Sequence, residues 1–358
     1  MTPRERVIRA LRFEHPDRAP REVWALPAIP WFRQQEMDEL LARFPMDFTG
    51  PRVRYGRSRY ARGEPCKRGR YVDDWGSGWE VLEAGRVGEV KEPALAEWST
   101  LDRYELPWEL LKEADFSEVG RGCAETDLFL RAGTETRPFE RMQFLRGTEN
   151  LFLDLAYGVP EVYRLRDMLH DFFTTELRTW AKSDVDGVCL MDDWGGQRAL
   201  LVSPALWRSF FKPLYKDYCD TIHSGGKFVF FHSDGYIADI YPDLVEIGVD
   251  ALNSQLFCMD IEDLARRYRG RITFWGEVDR QRILPLGTPE EVRAAVRRVR
   301  TALDDGSGGL IAQCEWGIHD PKENILALYE EWERPARDPR RSPADAHSSP
   351  GGGAGAAE

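Results

Sequence analysis

The sequence predicts a (β/α)8 barrel, and two observations support that prediction. Between about residues 186 and 332, five short apolar segments alternate with five helical segments, which is typical of a parallel sheet with crossover helices. The apolar segments are nearly continuous runs, as expected for strands buried on both faces. A doubly wound open sheet is the alternative, but no glycine-rich dinucleotide fingerprint follows any of these segments. The chain of 358 residues also has room for three more units upstream.

The helices of this half have recognisable ends. Ser203 is a suitable N-cap, Pro204 suits the first helical position, and Gly225-Gly226 stops the helix. Thr288, with a glutamate three residues later, predicts a capping box for a later helix. The strands are contained in GVCLMDDWGG, KFVFF, VDALNS, ITFWGEVD and GGLIAQCEWG.

The N-terminal half is harder to interpret. Glu22-Val23-Trp24 is a candidate first strand, and the segment from Tyr71 to Glu92 reads as a β-hairpin inserted into the barrel. We expect residues 1–335 to form one barrel domain. Residues 336–358 are rich in Pro, Ser, Gly and Ala, which predicts a disordered tail.

Composition and charge argue against some classes of protein. The net charge of −12 argues against a general nucleic-acid binder, which would normally carry a basic face. No apolar window approaches the length of a membrane span. The six cysteines are scattered and include no CxxC pair, which favours free thiols and a cytoplasmic location.

Polar side chains gather where the predicted strands end, and in a barrel this rim forms the active site. His232 and Asp234 follow KFVFF, and Cys314 follows the last apolar run. A histidine, a cysteine and a carboxylate suit zinc, although His232 could simply bond a neighbouring loop and Cys314 could be an inert buried thiol. The expected substrate-binding residues on the rim are Asp192, Asp193, Trp194, Asn253, Gln255, Trp275, Trp316 and His319.

These rim residues also have structural explanations. Asp192, Asp193 and Glu277 could cap helices, and the three tryptophans could belong to the core. Three tryptophans at strand ends nevertheless suggest a flat or cationic ligand.

The chain resembles the uroporphyrinogen decarboxylase superfamily, and more closely its cobalamin-linked methyltransferase branch. The similar segments are RERVIRALRFEHPDRAP, SPALWRSFFKPLYK, FFHSDG, LVEIGVDALNSQ and FWGEVDRQRILPLGTPEEVR. The decarboxylase itself carries an R-Q-A-G-R-Y segment after its first strand. The corresponding stretch here, EVWALPAIPWFRQQEMDE, lacks that motif, which argues against uroporphyrinogen as the substrate.

The resemblance implies a zinc site. The methyltransferase branch binds zinc through an H-x-C element and a later cysteine, which match His232-Ser233-Asp234 and Cys314. Aspartate replaces the first cysteine and makes a harder site. Glu277 is a candidate fourth ligand, and His232, Asp234 and Glu277 are the candidate catalytic residues.

The predicted function is zinc-dependent methyl transfer between a small O-, N- or S-methyl compound and a corrinoid, tetrahydrofolate or thiol acceptor. The corrinoid would come on a partner protein, because the chain has no D-x-H-x-x-G element, and a homodimer is compatible with the resemblance. A metal-free His232–Asp234 acid–base pair stays open. The alternative functions are a metal-dependent decarboxylase or lyase acting on a small carboxylated or aromatic substrate, and a non-catalytic ligand-binding barrel.

Overall fold

The computed structural model describes residues 1–334, so the predicted tail from residue 336 lies outside the described residues. The strands, in chain order, are β1 (Arg21–Ala25), β2 (Phe48–Thr49), β3 (Gly69–Val72), β4 (Gly78–Val81), β5 (Glu89–Glu92), β6 (Phe129–Gly133), β7 (Gly187–Met191), β8 (Phe228–Ser233), β9 (Ala251–Ser254), β10 (Thr273–Trp275) and β11 (Leu310–Trp316).

Eight of these strands form one parallel sheet in the order β1-β11-β10-β9-β8-β7-β6-β2. Its two edge strands approach each other where the Asp47 backbone N–H donates to the carbonyl of Arg21, at 2.9 Å. The Asp47 carboxylate also accepts bonds from Arg6 and Arg18, at 2.6 and 2.7 Å. The sheet is therefore a nearly closed barrel, and the predicted (β/α)8 fold is confirmed.

Helices alternate with the barrel strands. The Thr288–Glu291 capping box is present, and the Ser203 side chain caps its helix.

Between residues 1 and 334, no helix combines the length and the apolar character that a membrane crossing requires. The helices are α1 (Pro3–Arg12), α2 (Ala28–Phe32), α3 (Gln34–Arg43), α4 (Glu109–Lys112), α5 (Val119–Ala124), α6 (Pro138–Arg146), α7 (Thr148–Tyr157), α8 (Pro160–Ala181), α9 (Pro204–Leu206), α10 (Lys212–Ser224), α11 (Tyr241–Glu246), α12 (Ile261–Tyr268), α13 (Ile283–Leu286), α14 (Pro289–Leu303) and α15 (Lys322–Glu333), with 3-10 turns at Trp98–Arg103 and Leu256–Cys258 and a π-helical turn at Trp207–Phe211.

The insertion between β2 and β6 is larger than the sequence suggests. The expected hairpin is a three-stranded antiparallel sheet in the order β3-β4-β5, and its buried Trp75 and Trp79 pack against the helices. The turn between β4 and β5 reaches the barrel rim, where a pocket of about 520 Å³ lies between that turn and the loop after β11.

The strand side chains alternate between two separate apolar layers. One layer lies between the strands and the helices and includes Leu130, Leu252 and Cys314. The other fills the barrel interior, and α1 contributes two side chains to it. Since successive residues of a strand point to opposite faces, this division shows which residues of each strand can reach the rim. The strand residues of the interior layer are Phe48, Phe129, Cys189, Phe230, Ala251, Trp275 and Ile311.

Candidate metal site

His232 lies at the end of β8 and points into the barrel mouth. Its Nδ1 is 2.6 Å from Oδ1 of Asn253, at the matching level of β9. The Asn253 amide nitrogen donates to the Trp275 carbonyl and to Gln313, at 2.6 and 3.2 Å. Because both amide hydrogens are committed to acceptors, Oδ1 must accept from His232. Nδ1 therefore carries a proton, and Nε2 is the ring nitrogen that faces the mouth.

Two carboxylates face Nε2 of His232. Oδ1 of Asp193 and Oδ1 of Asp234 lie 3.5 and 3.4 Å from Nε2 of His232. One ligand atom from each of these three residues falls within 4.8 Å of the others, and among residues 1–334 this is the group that could hold a metal ion. From the sequence, His232 and Asp234 are expected in the metal site, whereas Asp193 is expected to bind substrate.

The two aspartates are held together by close backbone packing. The Asp234 backbone N–H donates to the Asp193 carboxylate at 2.9 Å, and the Gly195 N–H donates to the Asp234 carbonyl at 3.0 Å. A Cβ atom on Gly195 would lie 2.4 Å from the backbone nitrogen of Tyr236. Gly235 has φ +76°, and a Cβ there would lie 2.1 Å from the Gly195 carbonyl oxygen. Both glycines are therefore required for the two loops to meet.

Arg280 neutralises part of the negative charge of this acidic rim. It is not among the site residues expected from the sequence. Its guanidinium contacts both Asp234 and Glu315, and its Nε lies 4.0 Å from Glu277. The only available signal was its position in the loop after the β10 strand, within FWGEVDRQR.

The rim still carries more acid than base. Burial raises the pKa of Glu277 to about 8. Burial and the charge of Asp193 raise the pKa of Glu140 to about 8. The pKa of Asp193 is also raised, by burial and then by Asp234. Oδ1 of Asp234 contacts the Arg280 guanidinium, which offsets part of this negative charge. Two carboxylates and one imidazole are suitable ligands for a divalent cation.

Asp192 has a structural position rather than a place in the mouth. It is fully buried, and its carboxylate accepts from the backbone N–H groups of Phe139 and Glu140 at the N-terminus of α6, at 2.7 and 2.8 Å. The hydroxyl of Tyr215 donates a third bond. The expectation that Asp192 binds substrate is therefore corrected, because all of these contacts are internal.

The three tryptophans expected to bind substrate are fully buried, so the structure places them in the core positions that the sequence also allowed. Trp194 stacks on Phe139 with ring centroids 4.1 Å apart. Trp275 lies in the barrel interior and donates to Glu22 at 2.8 Å. Trp316 lies beneath Arg33 in the helix-facing layer. Trp24, which the sequence analysis placed only in a strand, is half-buried with its ring centroid 5.2 Å from that of His232.

The structure does not bring Cys314 to the metal group. Its side chain lies in the helix-facing layer, and Sγ is 3.6 Å from the hydroxyl of Tyr329 on α15. Its neighbour Glu315 is the residue of β11 that reaches the rim and contacts Arg280. Cys314, the expected ligand, is thus one position away from the residue that reaches the rim, because adjacent strand residues face opposite sides.

The remaining predicted residues lie around the group without joining it. Glu277 is buried beside Arg280. Gln255 is buried and accepts from the thiol of Cys258, at 3.2 Å. His319 is exposed at the pocket beneath the β4–β5 turn, with Nε2 2.9 Å from a guanidinium nitrogen of Arg86.

Comparison with known proteins places this barrel in a family. Residues 132–334, more than half of the chain, match the uroporphyrinogen decarboxylase (URO-D) family. The chain belongs to the uroporphyrinogen decarboxylase family. The matched region spans β7 to β11 and therefore includes all three residues of the candidate metal group.

A solved methyltransferase structure shares the fold of this URO-D family member. A methyltransferase from Methanosarcina mazei aligns over 93% of this chain and 98% of its own, with a TM-score of 0.66 and 16% identity. A family 10 endo-β-1,4-xylanase from Gloeophyllum trabeum aligns over 90% and 98%, with a TM-score of 0.46 and 11% identity, and is too distant to inform the site. No curated protein sequence matches the chain.

Proposed function

We propose that the chain is a metal-dependent methyltransferase, which moves a methyl group between a small O-, N- or S-methyl compound and a corrinoid, tetrahydrofolate or thiol acceptor. The observation that supports this proposal most is the position of His232 beside two carboxylates. Asn253 fixes its tautomer, and its Nε2 faces Asp193 and Asp234 at the barrel mouth. The similar fold of the Methanosarcina mazei methyltransferase is consistent with the proposal.

Zinc is the proposed metal, and Asp193, His232 and Asp234 would hold it. Three protein ligands leave a coordination position for substrate, as in catalytic zinc sites. The bound metal would act as a Lewis acid on the heteroatom that carries or receives the methyl group. Two carboxylates donate less electron density than thiolates, so this ligand set suits the polarisation of an oxygen or amine better than the activation of a thiol.

Other residues of the chain would position the reactants. Asn253 orients His232, and Arg280 holds Oδ1 of Asp234, the same oxygen that faces the histidine. The pocket of about 520 Å³ beside Arg280 and Glu315 is in the size range of small-molecule sites. We propose that a corrinoid acceptor would be delivered by a partner protein.

Methyl-transfer assays test the proposal. The zinc-loaded protein would be mixed with cob(I)alamin and, in separate assays, methoxy, methylamine and methylthio compounds, and methylcobalamin would be followed by absorbance. We expect turnover with at least one class, and a loss of 100-fold or more in His232→Ala and Asp193→Asn. Cys314→Ala is the matched control and should keep its activity. Equal activity in His232→Ala and the wild type would contradict the proposal.

A lyase or decarboxylase is the second candidate, and Glu277 favours it. Burial raises the pKa of this carboxyl group to about 8, which favours the protonated form that could donate a proton to a carbanion. Carbon dioxide release that is lost in Glu277→Gln, without methyl transfer, would support this candidate. Ligand binding without either reaction would favour a non-catalytic barrel.

A further inference from the structure

One side of the barrel mouth is open because two neighbouring strands end in glycines. Gly133 is the last residue of β6, and Gly50 comes directly after β2. Both are exposed, and a Cβ atom on either would meet no atom within 4 Å. Neither has a positive φ, so the backbone does not require glycine at these positions. We call the space beside them the glycine lobe.

The glycine lobe belongs to the barrel interior. Phe129 and Arg131 of β6 point inward, and Gly133 continues the same face because alternate strand residues share a side. Gly50 follows the inward-facing Phe48 by two residues in the same way. The lobe therefore opens into the mouth, on the side of β2 and β6.

The charge beneath the lobe is already neutralised. The Arg131 guanidinium pairs with both oxygens of Glu22, at 2.6 and 2.9 Å, and lies 4.3 Å over the ring of Trp275. Arg131 and the mostly buried rings around it thus form a floor whose positive charge is already paired with Glu22.

Arg137, beside the lobe, has only weak partners. Its nearest carboxylate within residues 1–334 is Glu140, at 3.8 Å. One guanidinium nitrogen contacts the Met191 sulfur at 3.7 Å, and Nε has no hydrogen-bond partner. Met191 is the inward-facing end of β7 and pairs in register with His232. The guanidinium is therefore placed between the glycine lobe and the metal group, with its side chain 26% exposed.

We infer that the substrate bears a carboxylate, that Arg137 binds this carboxylate, and that the glycine lobe receives the body of the substrate. The inference rests on the proposed function, and it adds a substrate class and a specificity residue. A guanidinium with free donors binds a carboxylate through two parallel hydrogen bonds. The absence of side chains at Gly50 and Gly133 leaves room for the attached group on the β2 and β6 side of the mouth.

Binding measurements test the role of Arg137 and the role of the glycine lobe separately. Phenoxyacetate and phenoxyacetamide have matched shapes and differ in charge, and their affinities for the zinc-loaded full chain would be measured by calorimetry. We expect the carboxylate to bind at least tenfold more tightly than the amide. Arg137→Ala should remove this difference, whereas Arg178→Ala, at an exposed position of α8, should keep it.

Gly133→Leu should weaken both ligands at least tenfold by filling the lobe. Its control, Gly122→Leu, is outside the barrel, where a Cβ also meets no atom within 4 Å. The inference is wrong if the amide binds as well as the carboxylate, if neither binds, or if Arg137→Ala or Gly133→Leu has no effect. Arg137→Ala and Gly133→Leu should each still bind one zinc ion per protein chain. A lower zinc content would show that the metal site, rather than substrate binding, has failed.

Discussion

At the scale of single residues, Asn253 determines what His232 can do. A histidine can bind a metal through Nε2 only if that nitrogen is unprotonated, and the proton position depends on the partner of Nδ1. Asn253 is committed as an acceptor because its amide hydrogens bond to Trp275 and Gln313. The sequence identifies Asn253 as a rim residue but cannot show this bond, because the two residues are 21 positions apart.

Asn253→Ala should therefore weaken zinc binding by about 10–100-fold, as is typical when the partner of a metal-bound histidine is removed. The measurement is chelator competition on the folded variant. Gln255→Ala is the matched control, since Gln255 is also buried and lies directly after β9, but contacts Cys258 instead of His232. Equal zinc affinity in the two variants would contradict the role of Asn253.

At the scale of elements, alternation along β11 decides which residue reaches the rim. The run from Leu310 to Trp316 is almost entirely buried, but its second half alternates, with Gln313 and Glu315 on one face and Cys314 on the other. The choice of Cys314 from its ligand chemistry is inconsistent with this alternation, and Glu315 faces the mouth. KFVFF is apolar throughout after Lys227 and carries no such signal, but the His232-Ser233-Asp234 ending places both polar ligands on one face.

Helix α8 illustrates a buried acid that tertiary packing alone reveals. Glu176 accepts bonds from the Tyr55 hydroxyl, the Glu135 backbone and Thr136, and burial raises its pKa to about 7. The pKa of Glu176 in the folded state exceeds its unfolded value of 4.5. The protonated Glu176 carboxyl therefore contributes stability to the fold that is fully present below pH 4.5 and is lost as the pH rises through 7.

Glu176→Gln should remove this part of the pH dependence. Between pH 5 and pH 8, the free energy of unfolding of the wild type should fall more than that of the variant, by at most about 1.4 kcal/mol per pH unit. Urea unfolding at several pH values measures the difference. The exposed Glu149→Gln should follow the wild type, and parallel profiles for Glu176→Gln would contradict the buried-acid explanation.

At the scale of the whole molecule, the barrel is predictable because its C-terminal half repeats a strand and a helix five times. The N-terminal half is less legible, since β2 has only two residues and the three-stranded insertion separates it from β6. Glu22 lies in the predicted first strand, but its partner Arg131 is 109 positions away, and no sequence pattern predicts that they meet inside the barrel.

Glu22→Gln should destabilise the protein by about 3–5 kcal/mol, because it leaves a buried guanidinium without its carboxylate. Replacing both residues, as in Glu22→Leu with Arg131→Leu, should recover much of that loss. Urea unfolding measures both effects. Glu333→Gln removes the half-exposed partner of Arg21 and should cost no more than about 1 kcal/mol. A similarly small effect of Glu22→Gln would show that the interior pair is unimportant for stability.

X-ray absorption at the zinc edge of the loaded protein tests the central claim most directly. Coordination by Asp193, His232 and Asp234 predicts only nitrogen and oxygen neighbours, at about 2.0–2.2 Å. The spectrum of Cys314→Ala should be identical, and His232→Ala should lose the metal. A sulfur neighbour at about 2.3 Å, or equimolar zinc retained in His232→Ala, would contradict the account.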